Sequence, residues 1–223
     1  MHPTHTGSDD VAALLKNQAY PCVGAKSALR QDQITSRCYG RIADAQDDGK
    51  ILNDIYQFIA SYRESGSLFQ SFIMEFTGPD YATELGFEQA MWRRLQALHE
   101  LDQERFAWDE RVQTHPDAPG FSFSLGGEAF FIIGMHPGAS RMSRRYVRPA
   151  LVMNLHDQFE RLRADGRYDR MRDVIRERDE AYCGSPNPSL RNFGELSEAR
   201  QYSGRAVSAD WKCPFRPRSA GDR

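Results

Sequence analysis

The stretch FSFSLGGEAFFIIGM, residues 121–135, decides the fold. It holds two apolar runs, Phe121–Leu125 and Ala129–Met135, joined by Gly126-Gly127. Both runs are rich in aromatic and aliphatic residues of the kind that pack on a pleated surface. Two adjacent glycines supply the positive φ angles that a tight hairpin turn requires. The stretch therefore predicts two antiparallel strands joined by a short turn.

Apolar patterns on both sides of this hairpin predict further strands and helices. Strand-like composition occurs at residues 34–42, 68–76 and 151–155. The helical spacing of apolar residues occurs at residues 11–17, 51–62, 86–105, 157–164 and 168–182. Strands flanked by helices in this order are typical of an α+β fold. We therefore expect a single domain with a mainly antiparallel sheet flanked by helices.

The composition changes after Cys183. Gly, Ser, Pro and Asn dominate from Gly184 to Gly204 without a clear period. Long loops inside compact domains tend to be functional or disordered, and this one also carries aromatic and charged residues. We therefore expect a long structured C-terminal loop region. The domain then covers residues 20–215, preceded by a flexible lead, 1–19, and followed by a disordered tail, 216–223.

Composition limits the partners and the compartment. The chain has 223 residues, 40% of them hydrophobic, and a net charge of −2. These values suit a globular domain and imply neither a nucleic-acid partner nor an anionic membrane. The longest apolar run, Ala129–Met135, is far shorter than the roughly 20 residues of a membrane span. Met1–Asp10 lacks the basic and apolar regions of a signal peptide, so we expect a cytoplasmic protein.

The four cysteines, Cys22, Cys38, Cys183 and Cys213, are widely spaced. The sequence contains no CxxC pair, so neither a disulfide framework nor a tetrahedral zinc site is expected. A free cysteine is most often a small buried hydrophobe. The sequence also lacks a phosphate-binding loop, a GxSxG motif and an HExxH motif.

A polar cluster follows the second strand of the hairpin. His136-Pro137-Gly138 stands where the strand ends, and four arginines follow it within a few residues. Arginine binds carboxylates and phosphates through two parallel hydrogen bonds, so the cluster indicates a site for an acidic ligand such as haem propionates. The alternative is a solvated charged face. His156, at the end of the strand 151–155, is either a ligand or acid–base group or a half-buried structural residue.

Cys213-Pro214 is a second candidate. Trp211 and Phe215 flank the pair and Lys212 is adjacent. A cation or a metal stabilises a thiolate. A thiolate ligand donates electron density to haem iron and favours O–O cleavage, as a monooxygenase requires. The alternative is a buried structural cysteine.

Several ordered stretches together resemble the YqcI/YcgG family. They cover roughly residues 20–215 and are residues 21–26 (PCVGAK), 130–141 (FFIIGMHPGASR), 144–145 (RR), 149–159 (PALVMNLHDQF), 184–188 (GSPNP), 193–194 (FG), 197–204 (SEARQYSG) and 211–215 (WKCPF). Characterised members of this family are haem-dependent N-hydroxylases of guanidine groups, acting on L-arginine or on cyclic guanidines in natural-product pathways. The resemblance therefore implies a monooxygenase with haem b, O₂ as co-substrate and an electron donor.

The resemblance and the charge pattern together indicate roles for individual residues. The expected cofactor-binding residues are Arg141, Arg144, Arg145, His136 and His156. The three arginines would hold the propionates, and Cys213 would be the proximal iron ligand, with the two histidines as rival ligands. A guanidinium substrate needs an acidic partner, and Glu198 and Glu75 are the candidates. The expected partners are a small guanidine compound, an electron-donor protein or reductant, and a second copy of the chain in a homodimer.

Two other classes of function are compatible with the same residues. The first is a non-catalytic haem-binding sensor or carrier. The second is a haem-free protein, either a hydrolase with His136 or His156 as general base or a small-molecule binding module. Product formation separates the first from an oxygenase, and failure to take up haem would favour the second.

Overall fold

The computed structural model describes residues 7–78, 81, 83–188 and 192–218. The helices are α1 (Gly7–Lys16), α2 (Val23–Arg30), α3 (Asp48–Ser65), α4 (Glu84–Asp102), α5 (His156–Ala164), α6 (Tyr168–Cys183) and α7 (Ala199–Tyr202). The strands are β1 (Ile34–Tyr39), β2 (Ser71–Phe76), β3 (Phe123–Leu125), β4 (Glu128–Met135) and β5 (Ala150–Leu155). Short 3₁₀ turns occur at Ala45–Asp47 and Met142–Arg144.

The five strands form one sheet in the order β1-β2-β5-β4-β3. Only the β1–β2 pair is parallel, and the other three pairs are antiparallel. The predicted hairpin is confirmed: Leu125 pairs with Glu128, and Gly126 and Gly127 have φ angles of 61° and 73°. The positive φ at both central positions is the conformation that such a turn demands. The α+β fold with a mainly antiparallel sheet is therefore confirmed.

One face of the sheet, here called the core face, carries the main hydrophobic core. Alternate residues of the strands point to it, because successive side chains of a strand lie on opposite faces. Those from the central strands are Phe72, Met74, Phe76, Phe130, Ile132, Leu151, Met153 and Leu155. Helices α3 and α4 and the C-terminal segment from Ala199 to Phe215 pack on this face. The core face therefore carries the close-packed interior of the domain.

The opposite face, here called the cavity face, carries a smaller hydrophobic cluster. Ile73, Val152 and Ile133 lie side by side on it, because the register pairs Ile73 with Val152 and Val152 with Ile133. Helices α1, α2, α5 and α6 cover this face. The covering is incomplete and leaves a cavity between the sheet and the helices.

The two ends of the chain differ from the expected lead and tail. Helix α1 lies within the expected flexible lead, and its Val11 and Leu15 side chains are buried. At the other end, the N–H of Arg216 donates to Gln96 Oε1 at 2.9 Å and the N–H of Arg218 donates to His99 Nε2 at 3.1 Å. Residues 7–16 and 216–218 therefore pack on the domain. Residues 1–6 and 219–223 lie outside the described part.

The C-terminal loop region contains one short helix, α7, and its side chains reach the core face. Ala199, Gln201 and Tyr202 are buried. The Tyr202 hydroxyl donates to the Phe130 carbonyl and accepts from the N–H of Phe123, so it ties the loop region to the hairpin. Among the described helices, none is long and apolar enough to cross a membrane.

Candidate cofactor-binding cavity

The cavity on the cavity face has a volume of about 260 Å³ and is partly open to solvent. The floor is the sheet, with Ile73, Val152 and Ile133 at its centre. The cover is formed mainly by aliphatic and small residues of α1, α2 and α6, which are Val11, Leu14, Leu15, Gly24, Ala25, Met171 and Ile175. The volume lies just below the roughly 300–1,000 Å³ typical of small-molecule sites. The walls favour a ligand with an apolar body, because they are mostly hydrocarbon.

Cys22 is the cavity residue best suited to bind a metal. It is the N-terminal cap of α2, and its Sγ accepts the N–H of Ala25 at 3.4 Å. Burial raises the pKa of the Cys22 thiol, while the Ala25 N–H lowers it. The thiol therefore stays protonated until a cation or metal stabilises the thiolate. The sequence by itself assigned no role to the Pro21-Cys22 pair, because no helix was predicted after it and only the structure places Cys22 at the start of α2.

The other groups of the cavity wall that can bind iron are weaker candidates. They are the hydroxyls of Tyr20 and Tyr146 and the thioethers of Met135 and Met171. Burial raises the pKa of both tyrosine hydroxyls far above its usual range, which disfavours phenolate ligation. No histidine occurs among the described residues that line the cavity. Cys22 is therefore the first choice on chemical grounds.

Arg144 is the one expected propionate-binding residue that lines the cavity, and its guanidinium is already occupied. Its Nη1 donates to the carbonyls of Gly134 and Tyr202, and its Nη2 donates to the carbonyl of Gln201. These bonds connect β4 to α7. The side chain is buried, so Arg144 holds the C-terminal segment in place. Its guanidinium has no free pair of N–H groups with which to bind a ligand carboxylate.

The other two arginines expected to bind the propionates are likewise hydrogen-bonded to protein groups. Arg141 pairs with Asp179 and donates to the carbonyls of Ser185 and Pro186. Arg145 donates to the carbonyls of Ala139 and Ser140. Neither lines the cavity. The expected propionate-binding site of three arginines is therefore not assembled, because backbone carbonyl groups and one carboxylate accept their hydrogen bonds.

Cys213 lies away from the cavity, in the main core. It is 2% exposed and packs among the residues of the core face, beside Phe215. Burial raises the pKa of its thiol to about 12. A cysteine in this position matches the alternative of a structural hydrophobe. Cys213 does not line the cavity on the cavity face, so its expected role as iron ligand there has no geometric support.

The two candidate histidines also lie outside the cavity wall. His136 is 1% exposed, its ring stacks on Phe87 with centroids 4.4 Å apart, and neither ring nitrogen has a hydrogen-bond partner within the described residues. His156 is buried, and its Nε2 lies 3.0 Å from Glu160 Oε1. Burial lowers the pKa of both histidines. Both rings are therefore neutral near pH 7, and neither faces the candidate ligand site.

The two candidate substrate carboxylates stand in different places. Glu75 is buried directly behind the cavity wall: it accepts from Ser36 Oγ and, at 3.1 Å, from the hydroxyl of Tyr146, which lines the cavity. Glu198 precedes α7 and accepts from Ser122 Oγ, and burial raises its pKa to about 7. Glu198 does not line the cavity. The structure therefore separates the two residues and brings only Glu75 near the site.

Asp179 is the carboxylate that does line the cavity, among the described residues. It is 6% exposed and accepts a charge-assisted hydrogen bond from the guanidinium of Arg141. The sequence did not identify Asp179 as a site residue, because an aspartate in a helix as highly charged as α6 is expected at the surface. Only the packing of α6 on the cavity face turns it inward.

Comparisons with known proteins agree with the extent of the domain. The chain matches the model of the YqcI/YcgG family over residues 11–216. It is 28% identical over 216 residues to YcgG of Bacillus subtilis (strain 168), which is described as an uncharacterized protein, and the alignment covers 88% of this chain and 80% of that protein. No solved structure matches the chain. The family match includes every described residue that lines the cavity.

Proposed function

The chain belongs to the YqcI/YcgG family, as its motifs predict, and on that premise we propose that it is a haem-dependent monooxygenase that hydroxylates a guanidine nitrogen. The observation that carries the proposal is the apolar cavity with the Cys22 thiol in its wall. The substrate class comes from the family resemblance. L-arginine or a related guanidine compound is the substrate, and an N-hydroxyguanidine is the product.

The cavity suits haem in its chemistry. The macrocycle is flat and apolar, and the cavity lies between a sheet and helices whose facing side chains are mostly hydrocarbon. The volume of about 260 Å³ is small for such a ligand, and the cavity is partly open to solvent, where charged carboxylates are best solvated. Cys22 replaces Cys213 as the proposed iron ligand, because Cys22 lines the cavity and Cys213 does not.

Bound haem supplies the activation of O₂, which a thiolate ligand assists. One oxygen atom of O₂ enters an N–H bond of the guanidine to give N–OH, and the other leaves as water, with two electrons from the donor and two protons. The protein prepares this step in two ways. The N–H of Ala25 donates to the Cys22 sulfur and stabilises its negative charge, and the aliphatic walls exclude water from the reacting atoms.

Asp179 is the proposed binding partner of the substrate guanidinium. A guanidinium binds best to a carboxylate through charge-assisted hydrogen bonds, and Asp179 already accepts such a bond from Arg141. The carbonyls of Ser185 and Pro186 complete the acceptors around that guanidinium. We propose that a substrate guanidinium binds at Asp179 beside Arg141 or in its place, and that Glu75 and Glu198 do not contact the substrate.

The test is a comparison of the wild type with Cys22→Ala and Cys213→Ala. Each purified protein is loaded with haemin, and the Soret bands are recorded in the ferric form and in the ferrous form with CO. The proposal expects the red-shifted CO band of thiolate ligation in the wild type and in Cys213→Ala, and its loss in Cys22→Ala. Loss in Cys213→Ala alone would return the ligand to Cys213.

Turnover is measured separately. Haem-loaded wild type receives a reductant, O₂ and a panel of guanidines that includes L-arginine, and products are identified by mass. The proposal expects a product heavier than its substrate by one oxygen atom, and a reduced yield with Asp179→Asn. Absence of such a product across the panel, in protein that binds haem, would overturn the oxygenase proposal.

The second candidate is a haem-binding sensor or carrier without turnover. The pairing of Asp179 with Arg141 favours it, because the one carboxylate of the described cavity wall is already neutralised. Haem uptake without product would support this function. A protein that takes up no haem would instead be a small-molecule binding module built on the same cavity.

A further inference from the structure

Three cationic side chains converge beside the cavity, at the edge where α2 and α6 meet the segment between α1 and α2. Lys26 Nζ donates to the carbonyl of Gln18 at 2.8 Å. Arg178 Nη2 donates to the same carbonyl and, at 3.2 Å, to the carbonyl of Tyr20. Arg30 lies one turn after Lys26 on α2. We call Lys26, Arg30 and Arg178 the rim cluster.

The rim cluster carries charge that the described part of the chain does not neutralise. None of its three members forms an ion pair with a described carboxylate, whereas Arg141, Arg148 and Arg205 each do. The Nε of Arg178 is buried without a hydrogen-bond partner. Burial lowers the pKa of Lys26, and the charges of Arg178 and Arg30 lower it further, so Lys26 lies close enough to both arginines for their charges to repel its own. Such an arrangement is stabilised when an anion binds to it.

The residues of the rim cluster do not line the cavity themselves, but two of them directly adjoin residues that do. Cys22, Gly24 and Ala25 line the cavity immediately before Lys26, and Asp179 lines it immediately after Arg178. A ligand whose apolar body lies in the cavity can therefore place a polar end among the three cations. The arginines expected to bind that end donate to carbonyls and, for Arg141, to Asp179. Lys26 and Arg178 also donate to carbonyls, but neither is paired with a described carboxylate, so their positive charge is available to a ligand anion.

We propose that the rim cluster binds the carboxylate end of the cavity's ligand, which is an apolar molecule with one or more carboxylates. This inference rests on the proposed function only in that haem, with two propionates, is one such molecule. A long-chain fatty acid also combines an apolar body with a carboxylate and is the other ligand that this chemistry would accept. In both cases the hydrocarbon body contributes affinity through burial, and the cations fix which end faces solvent.

The experiment compares each ligand with its ester. The wild type is titrated with haemin and haemin dimethyl ester by absorbance, and with palmitate and methyl palmitate by calorimetry. Esterification removes the negative charge without changing the protein. We expect the free acid to bind about tenfold more tightly than the ester, which corresponds to about 1.4 kcal/mol from contacts with two or three partly exposed cations.

Three variants assign the preference to the rim cluster. Arg178→Gln and Lys26→Gln should each reduce the tenfold preference to about threefold or less. Arg170→Gln, an exposed residue of α6 with no hydrogen bond or ion pair in the described part, is the matched control and should keep the preference. Thermal melting of each variant shows whether it remains folded. If a rim variant does not fold, the comparison of acid with ester in the wild type decides.

Each outcome separates the inference from the proposed function. Equal affinity for haemin and its dimethyl ester would overturn the inference and leave the haem proposal intact. Preference for palmitate over its ester, with no haemin binding, would support the inference and overturn the haem proposal. A preference that survives in both folded rim variants would place the carboxylate elsewhere and overturn the inference. Failure of all four ligands to bind would overturn both.

Discussion

Substitution of Glu198 by Gln should make the protein increasingly stable relative to the wild type as the pH rises. Glu198 is 7% exposed, accepts a hydrogen bond from Ser122, and has its pKa raised by burial from 4.5 to about 7. The folded protein therefore keeps a proton on this carboxyl at pH values where the unfolded chain has released it. Stability from this group is fully present below pH 4.5 and is lost as the pH rises through 7.

The two pKa values give the size of the effect. Between about pH 5 and about pH 8, ionisation of Glu198 lowers the free energy of unfolding of the wild type by about 2.5 kcal/mol. Glutamine has nearly the same shape and no titratable proton, so Glu198→Gln lacks this loss. The free energy of unfolding of the variant minus that of the wild type should therefore rise by about 2.5 kcal/mol between pH 5 and pH 8. A constant cost of the substitution itself does not affect this rise.

Urea unfolding, followed by far-ultraviolet circular dichroism at several pH values, measures this difference. Glu64→Gln, at an exposed position of α3, is the control and should track the wild type. A difference between Glu198→Gln and the wild type that stays constant within about 0.5 kcal/mol from pH 5 to pH 8 would refute the reasoning. The same variant should retain turnover, because Glu198 does not line the cavity; loss of turnover in a folded protein would restore it as a substrate partner.

Three further predictions concern the core, the buried ion pair and the thiol. Gly134→Ala should lower the free energy of unfolding by about 1–3 kcal/mol, because a Cβ there would lie 2.8 Å from the Tyr202 carbonyl oxygen. Gly49→Ala, with nothing within 4 Å of the added Cβ, should be neutral or stabilising by up to about 1 kcal/mol in the same urea experiment. Arg94→Met should destabilise by about 3–5 kcal/mol because it leaves Asp48 buried without its partner, and the double variant with Asp48→Asn should recover part of the loss; an additive double variant would contradict this. Haemin ligation by Cys22 should strengthen as the pH rises, because the thiol must lose a proton and burial raises its pKa; a Soret band independent of pH would argue against thiolate ligation.

Much of the fold was predictable because its signals are local. The hairpin followed from two apolar runs around Gly126-Gly127, and the helix α3 from the spacing of apolar residues between Ile51 and Tyr62. Element ends were less predictable. Helix α4 begins at Glu84, two residues before the expected start, because the Thr83 side chain accepts the N–H of Gly86. The strand predicted at 34–42 ends at Tyr39.

The candidate site was predicted less well than the fold. Of the residues expected to bind a cofactor, only Arg144 lines the cavity, and its donors are taken by backbone carbonyls. Dense arginines after a strand look like an anion site in the sequence. Arg141 and Arg144 bond mainly to carbonyl groups and a carboxylate about 40 to 60 residues further along the chain, which no local pattern reveals. Arg145 bonds to the carbonyls of Ala139 and Ser140, which shortly precede it in the chain.

The sequence by itself determined the family, the α+β class and the hairpin at one edge of the sheet, because these depend on local apolar patterns and on ordered motifs. Only the tertiary structure decided which face of the sheet holds the cavity. Cys22 and Cys213 are chemically identical in the sequence, and the fold places the first in a cavity wall and the second in a packed core. The reason is physical: side-chain environment depends on which helices cover each sheet face, and that is set by contacts between residues far apart in the chain.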